Sequence, residues 1–394
     1  MNSIDIEERS EEKVSTPQPR HPAHFHHDHP EMCDHPRVHG GIHGQGRPDG
    51  RVVHSKSEDV RDNLFLLGIA AGLIAAVLGS LMIGRYLVSV PDFFAALQAR
   101  FTGLPGPDTV VDNILWNVRL PRIAAAVIIG AALGASGATY QGLFRNPLVS
   151  PDILGASAGA GFGASLAILF SMSLMGIQLM AFGFGLGAVL MVIAINAVIS
   201  RGHSATLGLI LTGIVVGTMF TSFTSLIKYV ADPEQKLPSI TFWLMGGLST
   251  VKPADLWIAL IPIAAGIVPI ALFRWKLNVL AFGDDEARAL GIDAGKMRIV
   301  FVICSTLLTA AAVSMCGMVG WIGLIIPHIA RMITGPNYLK LLPSAMILGG
   351  GFLLLVDNVA RSAFQVEIPL GILTSLIGAP FFVYLLMKGR RGWL

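Results

Sequence analysis

Nine of the chain's eleven histidines fall between residues 21 and 54: His21, His24, His26, His27, His29, His35, His39, His43 and His54, with Asp28, Cys33 and Asp34 among them. Imidazole and thiolate are ligands for Zn, Cu, Ni and Fe, and a flexible tract can wrap several such donors around one transition-metal ion. No fixed spacing selects a geometry, so His21, His24, His26, His27, His29, Cys33, His35, His39 and His43 are candidate ligands for a metal of open identity. A solvated low-complexity tail is the alternative reading of the same residues.

Beyond the tract, chemistry-bearing residues are sparse. His328 lies in an apolar stretch with no second His or acid at ligand spacing in its own segment, which reads as a hydrogen-bonded structural residue. No pairs of His, Asp or Glu at i, i+4 occur within the apolar runs, which counts against a carrier that strips and moves a bare metal ion. No nucleophile-and-base constellation supports a membrane enzyme. The phosphate-binding pattern Gly-x-x-x-x-Gly-Lys-Ser/Thr is missing too: Gly295-Lys296 is followed by Met297 and has Leu290 at the first position. The chain cannot cradle ATP phosphates that way.

Composition places these residues in a membrane protein. Of 394 residues, 53% are hydrophobic and 13% charged, and mean hydropathy is +0.66. A soluble chain of this length needs more charge to cover its surface. The net charge of +3 is too small to suggest nucleic acid, and three cysteines make no disulfide framework. Residues 1–62 are polar and read as a disordered His-rich tail without a signal-peptide apolar core, so the first span stays uncleaved. Runs long enough to cross a bilayer occur near 64–84, 121–143, 153–171, 174–200, 205–230, 255–273, 298–320, 341–360 and 368–387. A shorter stretch at 321–334, which holds Pro327, gives ten crossings if it is counted and nine if it is not, and the nine-span count would move one terminus. The all-α membrane domain is thus 63–394. With ten spans, the bias of Lys and Arg puts both termini in the cytoplasm.

Within the spans, Gly130 and Gly134, Gly183 and Gly187, and Gly213 and Gly217 repeat the spacing that lets helices approach closely. Thr218, Thr221, Ser222 and Ser225 form a polar stripe on the fifth span, suited either to a water-filled pathway or to interhelical hydrogen bonds.

Four stretches carry more than hydropathy. The first joins Arg119-Leu120-Pro121-Arg122 to Ser136-Gly137 and then to Arg145-Asn146-Pro147-Leu148 and Pro151-Asp152. The second runs from Leu277 through Gly283-Asp284-Asp285-Glu286-Ala287 to Leu290-Gly291. The third is Gly320-Trp321-Ile322-Gly323 with Pro327-His328-Ile329-Ala330-Arg331. The fourth joins Asp357-Asn358-Val359-Ala360-Arg361 to Glu367-Ile368-Pro369 and Gly378-Ala379-Pro380. Together, in this order and spacing, they resemble the permease family of ferric-siderophore, haem and vitamin B12 importers, the type II ABC importers. The resemblance runs from about residue 64 to the C-terminus. It departs at Trp321, where Phe is usual, and at the His-rich tail, which inherits no role from the family.

The resemblance implies a ten-helix subunit in the inner membrane, paired with a second copy or a close paralogue and surrounded by lipid. It implies an ATPase dimer on the cytoplasmic side, a substrate-binding protein outside, and no partnership with nucleic acid. No cofactor is expected in the permease itself; ATP and Mg belong to the partner ATPase, and transition metal, if bound at all, to the tail. Residues 276–296 read as two short amphipathic helices joined at Gly283. The family uses this element to engage the ATPase, which assigns coupling to Gly283, Glu286, Ala287, Leu290 and Gly291; a solvated connector is the alternative. Arg119, Arg122 and Arg361 fall on the outer side, where the resemblance implies docking to glutamates of the binding protein. Without it, the first two pass for snorkelling residues and Arg361 for a helix partner of Asp357. Asn146, Pro147 and Leu148 form a rigid turn, and with Thr206 and Leu207 they mark either a cytoplasmic gate or a plain connection. Thr218 and Ser222 are assigned to the pathway. Cargo is ranked as ferric siderophore, then haem, cobalamin and other metal chelates.

Overall fold

The computed structural model describes residues 56–84, 86, 88–103, 109–199 and 205–389. At 56–62, 205–206, 386 and 388–389 the description is of backbone alone. The histidine tract and Cys33 lie outside the described residues. Every regular element among the described residues is helical.

Helix α1 (Lys56–Met82) begins before the boundary at residue 62 that hydropathy suggests, because backbone hydrogen bonding does not require apolar side chains. Two pieces outside the expected spans follow. Helix α2 (Val90–Thr102) starts at an N-cap Ser89, carries Pro91 in its first turn and stops at Gly103 with φ 71°. Helix α3 (Thr109–Asn113) passes through a π-helical turn at Ile114–Arg119 into α4 (Leu120–Leu143). A 3-10 turn at Pro151–Leu154 precedes α5 (Ala156–Leu169), α6 (Leu174–Ile199) and α7 (Ala205–Val230). Then come α8 (Lys236–Met245), α9 (Pro253–Phe282), α10 (Asp284–Ala289) and α11 (Ala294–Cys316). The chain finishes with α12 (Ile322–Thr334), α13 (Tyr338–Ser362) and α14 (Leu370–Gly389).

Seven of the described helices are long and apolar enough to cross a membrane, and three shorter apolar ones, α5, α12 and α14, bring the total to the expected ten. Helix α4 is the hub. It packs against α13, α11, α12 and α9, and residues 132–144 are all buried. Small residues make this possible: a Cβ on Gly130 would collide with the Gly349 carbonyl, and one on Gly137 with the Gly323 carbonyl. Gly213 approaches Ile153 in the same way, whereas Gly183 and Gly187 face open space.

Several polar groups inside the bundle find partners on neighbouring helices, as a low-dielectric surrounding favours. Ser136 Oγ donates to the Ser305 carbonyl at 3.0 Å and Tyr338 Oη to the Ala138 carbonyl at 2.9 Å. Gln141 Nε2 donates to the Leu324 carbonyl at 3.0 Å. These bonds tie α4 to the later half of the chain.

Candidate functional site

Three clusters fall where the sequence places function: one at the α9–α11 connection, one along α7 and the 145–155 turn, and one near the α1 and α13 C-termini.

The α9–α11 connection differs from the expected pair of short helices. Nothing between Arg274 and Phe282 breaks a helix, so α9 continues to Phe282 and its Leu277 and Leu280 are buried. The break comes at Gly283, with φ 149° and ψ 165°, a conformation open to glycine. Asp284, Asp285 and Glu286 then occupy the first turn of α10, where the positive end of the helix dipole favours acids. The helix ends in a Schellman motif. The Ile292 N–H donates to the Ala287 carbonyl at 2.8 Å and the Gly291 N–H to the Arg288 carbonyl at 2.9 Å, with Gly291 at φ 74°. Ala287 and Ile292 are buried beneath this cap, leaving Glu286, Leu290 and Gly291 on the exposed side. Leu290 is 67% exposed and neighbouring Phe282 is 77% exposed. The five predicted coupling residues therefore divide into an anchor, Gly283 and Ala287, and an exposed ridge.

Asp284 fastens this element. Its carboxylate accepts from Arg298 Nη2 of α11 at 2.9 and 3.1 Å, and Arg145 Nη2 stands 3.9 Å away. Arg145 leads into the Asn146-Pro147-Leu148 turn at φ 51°. Asn146 Oδ1 accepts the Leu148 N–H at 2.9 Å, an Asx turn that leaves Leu148 49% exposed. The turn and α10 thus share one carboxylate. Asp293 caps α11 by accepting the Lys296 N–H at 3.0 Å, and that hydrogen bond, foremost among its contacts, holds its carboxyl below the ordinary value.

Along α7, Thr218, Thr221, Ser222 and Ser225 are all exposed on the chain, and each hydroxyl donates to the carbonyl four residues earlier. The stripe is polar yet carries no charge, and its protons are committed to its own helix. It flanks a cavity of about 310 Å³ lined by Asp152, Gly155, Gly213, Gly217, Thr218 and Thr221. Leu207, near the start of α7, is 57% exposed; the Thr206 side chain lies outside the described set.

The three arginines are not presented as free forks. Arg119, Arg122 and Arg361 are only 4%, 7% and 6% exposed. Arg119 Nη1 donates to the Leu81 carbonyl at 2.5 Å and Nη2 to that of Tyr86. Arg122 Nε donates to both Asp357 oxygens, at 3.0 and 3.1 Å, and Nη1 to Glu367 at 2.9 Å. Arg361 Nη2 donates to the Ser80 carbonyl at 2.7 Å and its Nε lies 3.8 Å from Asp357. Burying a guanidinium without partners is expensive, so the chain supplies them from α1, α13 and the 363–369 loop. In the single chain the three guanidinium groups are thus held by internal partners, Arg361 beside Asp357 as its helix spacing allows; the part of this network nearest solvent is Glu367, whose side chain is 35% exposed.

With this geometry in view, comparison with known proteins is decisive. Residues 72–388 match the FecCD transport family. The chain belongs to that family. Its relatives include the "Molybdate import system permease protein MolB" of Haemophilus influenzae, 42% identical over 83% of this chain and 96% of that one. They also include the "Probable iron chelatin transport system permease protein" of Helicobacter pylori strain 26695, 40% identical over 70% of this chain and 83% of the relative. A solved "metal-chelate type ABC transporter" in "an inward-facing conformation" superposes with a TM-score of 0.75 at 40% identity, covering 83% of this chain and 99% of that one. This FecCD chain is accordingly a membrane-embedded permease subunit of an ABC importer, and such subunits are not themselves enzymes.

Sequence reasoning missed α2, the Asp284–Arg298 tie and the pairing of Glu367 with Arg122. The last two join residues 14 and 245 positions apart, and no local periodicity signals such a pairing.

Proposed function

We propose that this FecCD chain pairs with a second copy in the inner membrane and imports either a ferric siderophore or the oxyanion molybdate. Both termini then lie in the cytoplasm, the α10 ridge meets a separate ATPase, and the pathway follows α7 between the two copies. The observation that carries this reading is the α10 element: a small exposed ridge around Glu286 and Leu290, anchored by Ala287 and tied by Asp284 to α11 and to the Asn146 turn. An element built this way transmits a push from outside the bundle to the helix ends at the 145–155 turn. The charge-free α7 stripe supports a path that does not trap its cargo.

The metal-bearing cargo is supported by two relatives, one named for molybdate and one for iron chelatin. Relatives named for cobalamin keep that solute in the comparison. The outer binding protein, in this reading, reaches Arg122 by displacing Glu367. The histidine tract holds or reports released metal on the cytoplasmic side.

The test is uptake into proteoliposomes holding the permease and its ATPase, with the binding protein supplied outside. Labelled molybdate, a ferric siderophore, haem and cobalamin are compared in parallel. ATP-dependent uptake of molybdate or the siderophore supports the proposal. Uptake of cobalamin or haem alone overturns the cargo assignment, and uptake without any ATPase overturns the coupling.

A further inference from the structure

Among the residues lining the α7 cavity of about 310 Å³, Asp152 is the one ionisable side chain. It is exposed on the chain, and among the described residues no Lys, Arg or His forms an ion pair with it. Ser157 Oγ donates to one carboxylate oxygen, and Ser150 Oγ to the other at 3.1 Å. A carboxylate offers about four acceptor positions, so capacity is left over.

The neighbouring hydroxyls add acceptors only. A hydroxyl has one proton, and a carbonyl can only accept. Thr218 Oγ1 donates to the Ile214 carbonyl at 2.8 Å and Thr221 Oγ1 to the Gly217 carbonyl at 2.9 Å. The two threonines therefore have lone pairs left for the cavity and no proton. Ser150 and Ser157 have likewise committed theirs to Asp152. The first turn of α5, at Ala156–Ala158, is the positive end of a helix, where an anion is ordinarily favoured. Ser157, in that turn, holds the Asp152 carboxylate there instead. The chain puts its own acid where an oxyanion would settle.

We propose that Asp152 is a charge filter on the α7 pathway. With Thr218 and Thr221 it forms a patch of acceptors that receives a cationic or N–H-bearing face of the cargo and turns oxyanions away. This rests on the reading of α7 as the pathway, and it separates the two cargoes named there. Molybdate meets a like charge with no side-chain donor to offset it, whereas a chelate carrying ammonium or amide groups finds acceptors. A capping role alone would leave Asp152 indifferent to the charge of the cargo.

Two measurements on the full chain test the filter. In the first, carboxyl groups of the purified permease are labelled with a water-soluble carbodiimide and glycine ethyl ester. Mass spectrometry reads modification at Asp152 with hexaamminecobalt(III), molybdate or neither present. Hexaamminecobalt(III), an inert cation whose surface is all N–H donors, should protect Asp152 several-fold, and molybdate should not. In the second, ATP-driven uptake of labelled molybdate and of ferrioxamine B, a chelate with a free ammonium group, is compared in proteoliposomes holding the ATPase, with the binding protein outside. D152N should raise the ratio of molybdate to ferrioxamine uptake several-fold over wild type. Equal labelling of Asp152 with and without the cobalt complex would overturn the acceptor patch. A ratio unchanged in D152N, both cargoes rising or falling together, would overturn the filter and leave Asp152 a cap. Wild-type permease that imports neither cargo with ATP would instead overturn the pathway reading, and the labelling would still decide the patch.

Discussion

Asp284, the first residue of α10, receives the Arg298 guanidinium through two hydrogen bonds at 2.9 and 3.1 Å, so that the exposed ridge cannot move without pulling on the foot of α11. Arg298 is buried and Asp284 partly exposed, which makes the pair stronger than a surface ion pair. Replacing Asp284 with Ala leaves the guanidinium unpaired and should lower stability by about 1.5–3 kcal/mol. D284N retains one acceptor and should lose less. For both variants in proteoliposomes, ATP hydrolysed per solute imported is expected to rise, because the partner still turns over while the push dissipates. A ratio equal to wild type would show that Asp284 only fastens α10.

The cap behind that ridge depends on one backbone angle. Gly291 sits at φ 74° and donates to the Arg288 carbonyl. A Cβ there meets no neighbouring atom, so the penalty of Gly291→Ala is conformational alone, about 1–2 kcal/mol. Gly291→Asn tolerates the left-handed region better and should lose less. Melting temperatures of the two variants in detergent give the ordering; an alanine variant as stable as the asparagine one would contradict it.

How much of this was legible beforehand follows from the range over which each signal acts. Gly283 and Gly291 bracket acids and small residues, so helix punctuation there can be read locally, and the seven long apolar helices with the three shorter ones follow from apolar runs. The length of α9 was misjudged because Lys276 and Asn278 look like the end of a span, yet both sit on a helix that continues to Phe282. Lys276 lies over the rings of Phe273 and Trp275, 4.6 and 5.7 Å from their centroids, and Asn278 accepts the Tyr338 N–H. The partners of Arg122 were out of sight for a different reason. Arg122 next to a proline looks interfacial until Asp357 and Glu367 arrive from the far end of the chain. Their spacing in sequence holds no trace of that meeting, although an acid inside an apolar run, as Asp357 is, was a hint that a cation had to be near.

Acid pH bears on the same junction through Asp293. Its folded carboxyl lies below the ordinary value because it accepts the Lys296 N–H at the start of α11. A depressed carboxyl contributes stability that is complete above its unfolded pKa, about 3.9, and is lost as pH falls through the lower folded value. Wild type should therefore melt above D293A at neutral pH, with the gap closing as the buffer is taken below pH ~4. Melting curves at matched ionic strength across that range decide the matter. A gap that stays constant, or widens in acid, would mean that the cap acts without its charge.

Glu367 offers a sharper probe of the proposed docking face than Arg122, whose replacement would take from the buried Asp357 its nearer cation. Its carboxylate accepts from Arg122 Nη1 at 2.9 Å but is the partly exposed member of the network, while the second acid, Asp357, keeps Arg122 neutralised from within. Glu367→Gln removes one charge and preserves shape, so the loss of stability should be under about 1.5 kcal/mol. If an acidic partner must displace this side chain to reach the guanidinium, the substitution removes a competitor. Binding-protein affinity for the E367Q permease, measured by surface capture in nanodiscs, should then rise several-fold and become steeper in its salt dependence. Affinity that falls or does not change would mean that the partner never touches Arg122, and that the buried arginines serve only to clamp α1, α4 and α13 together.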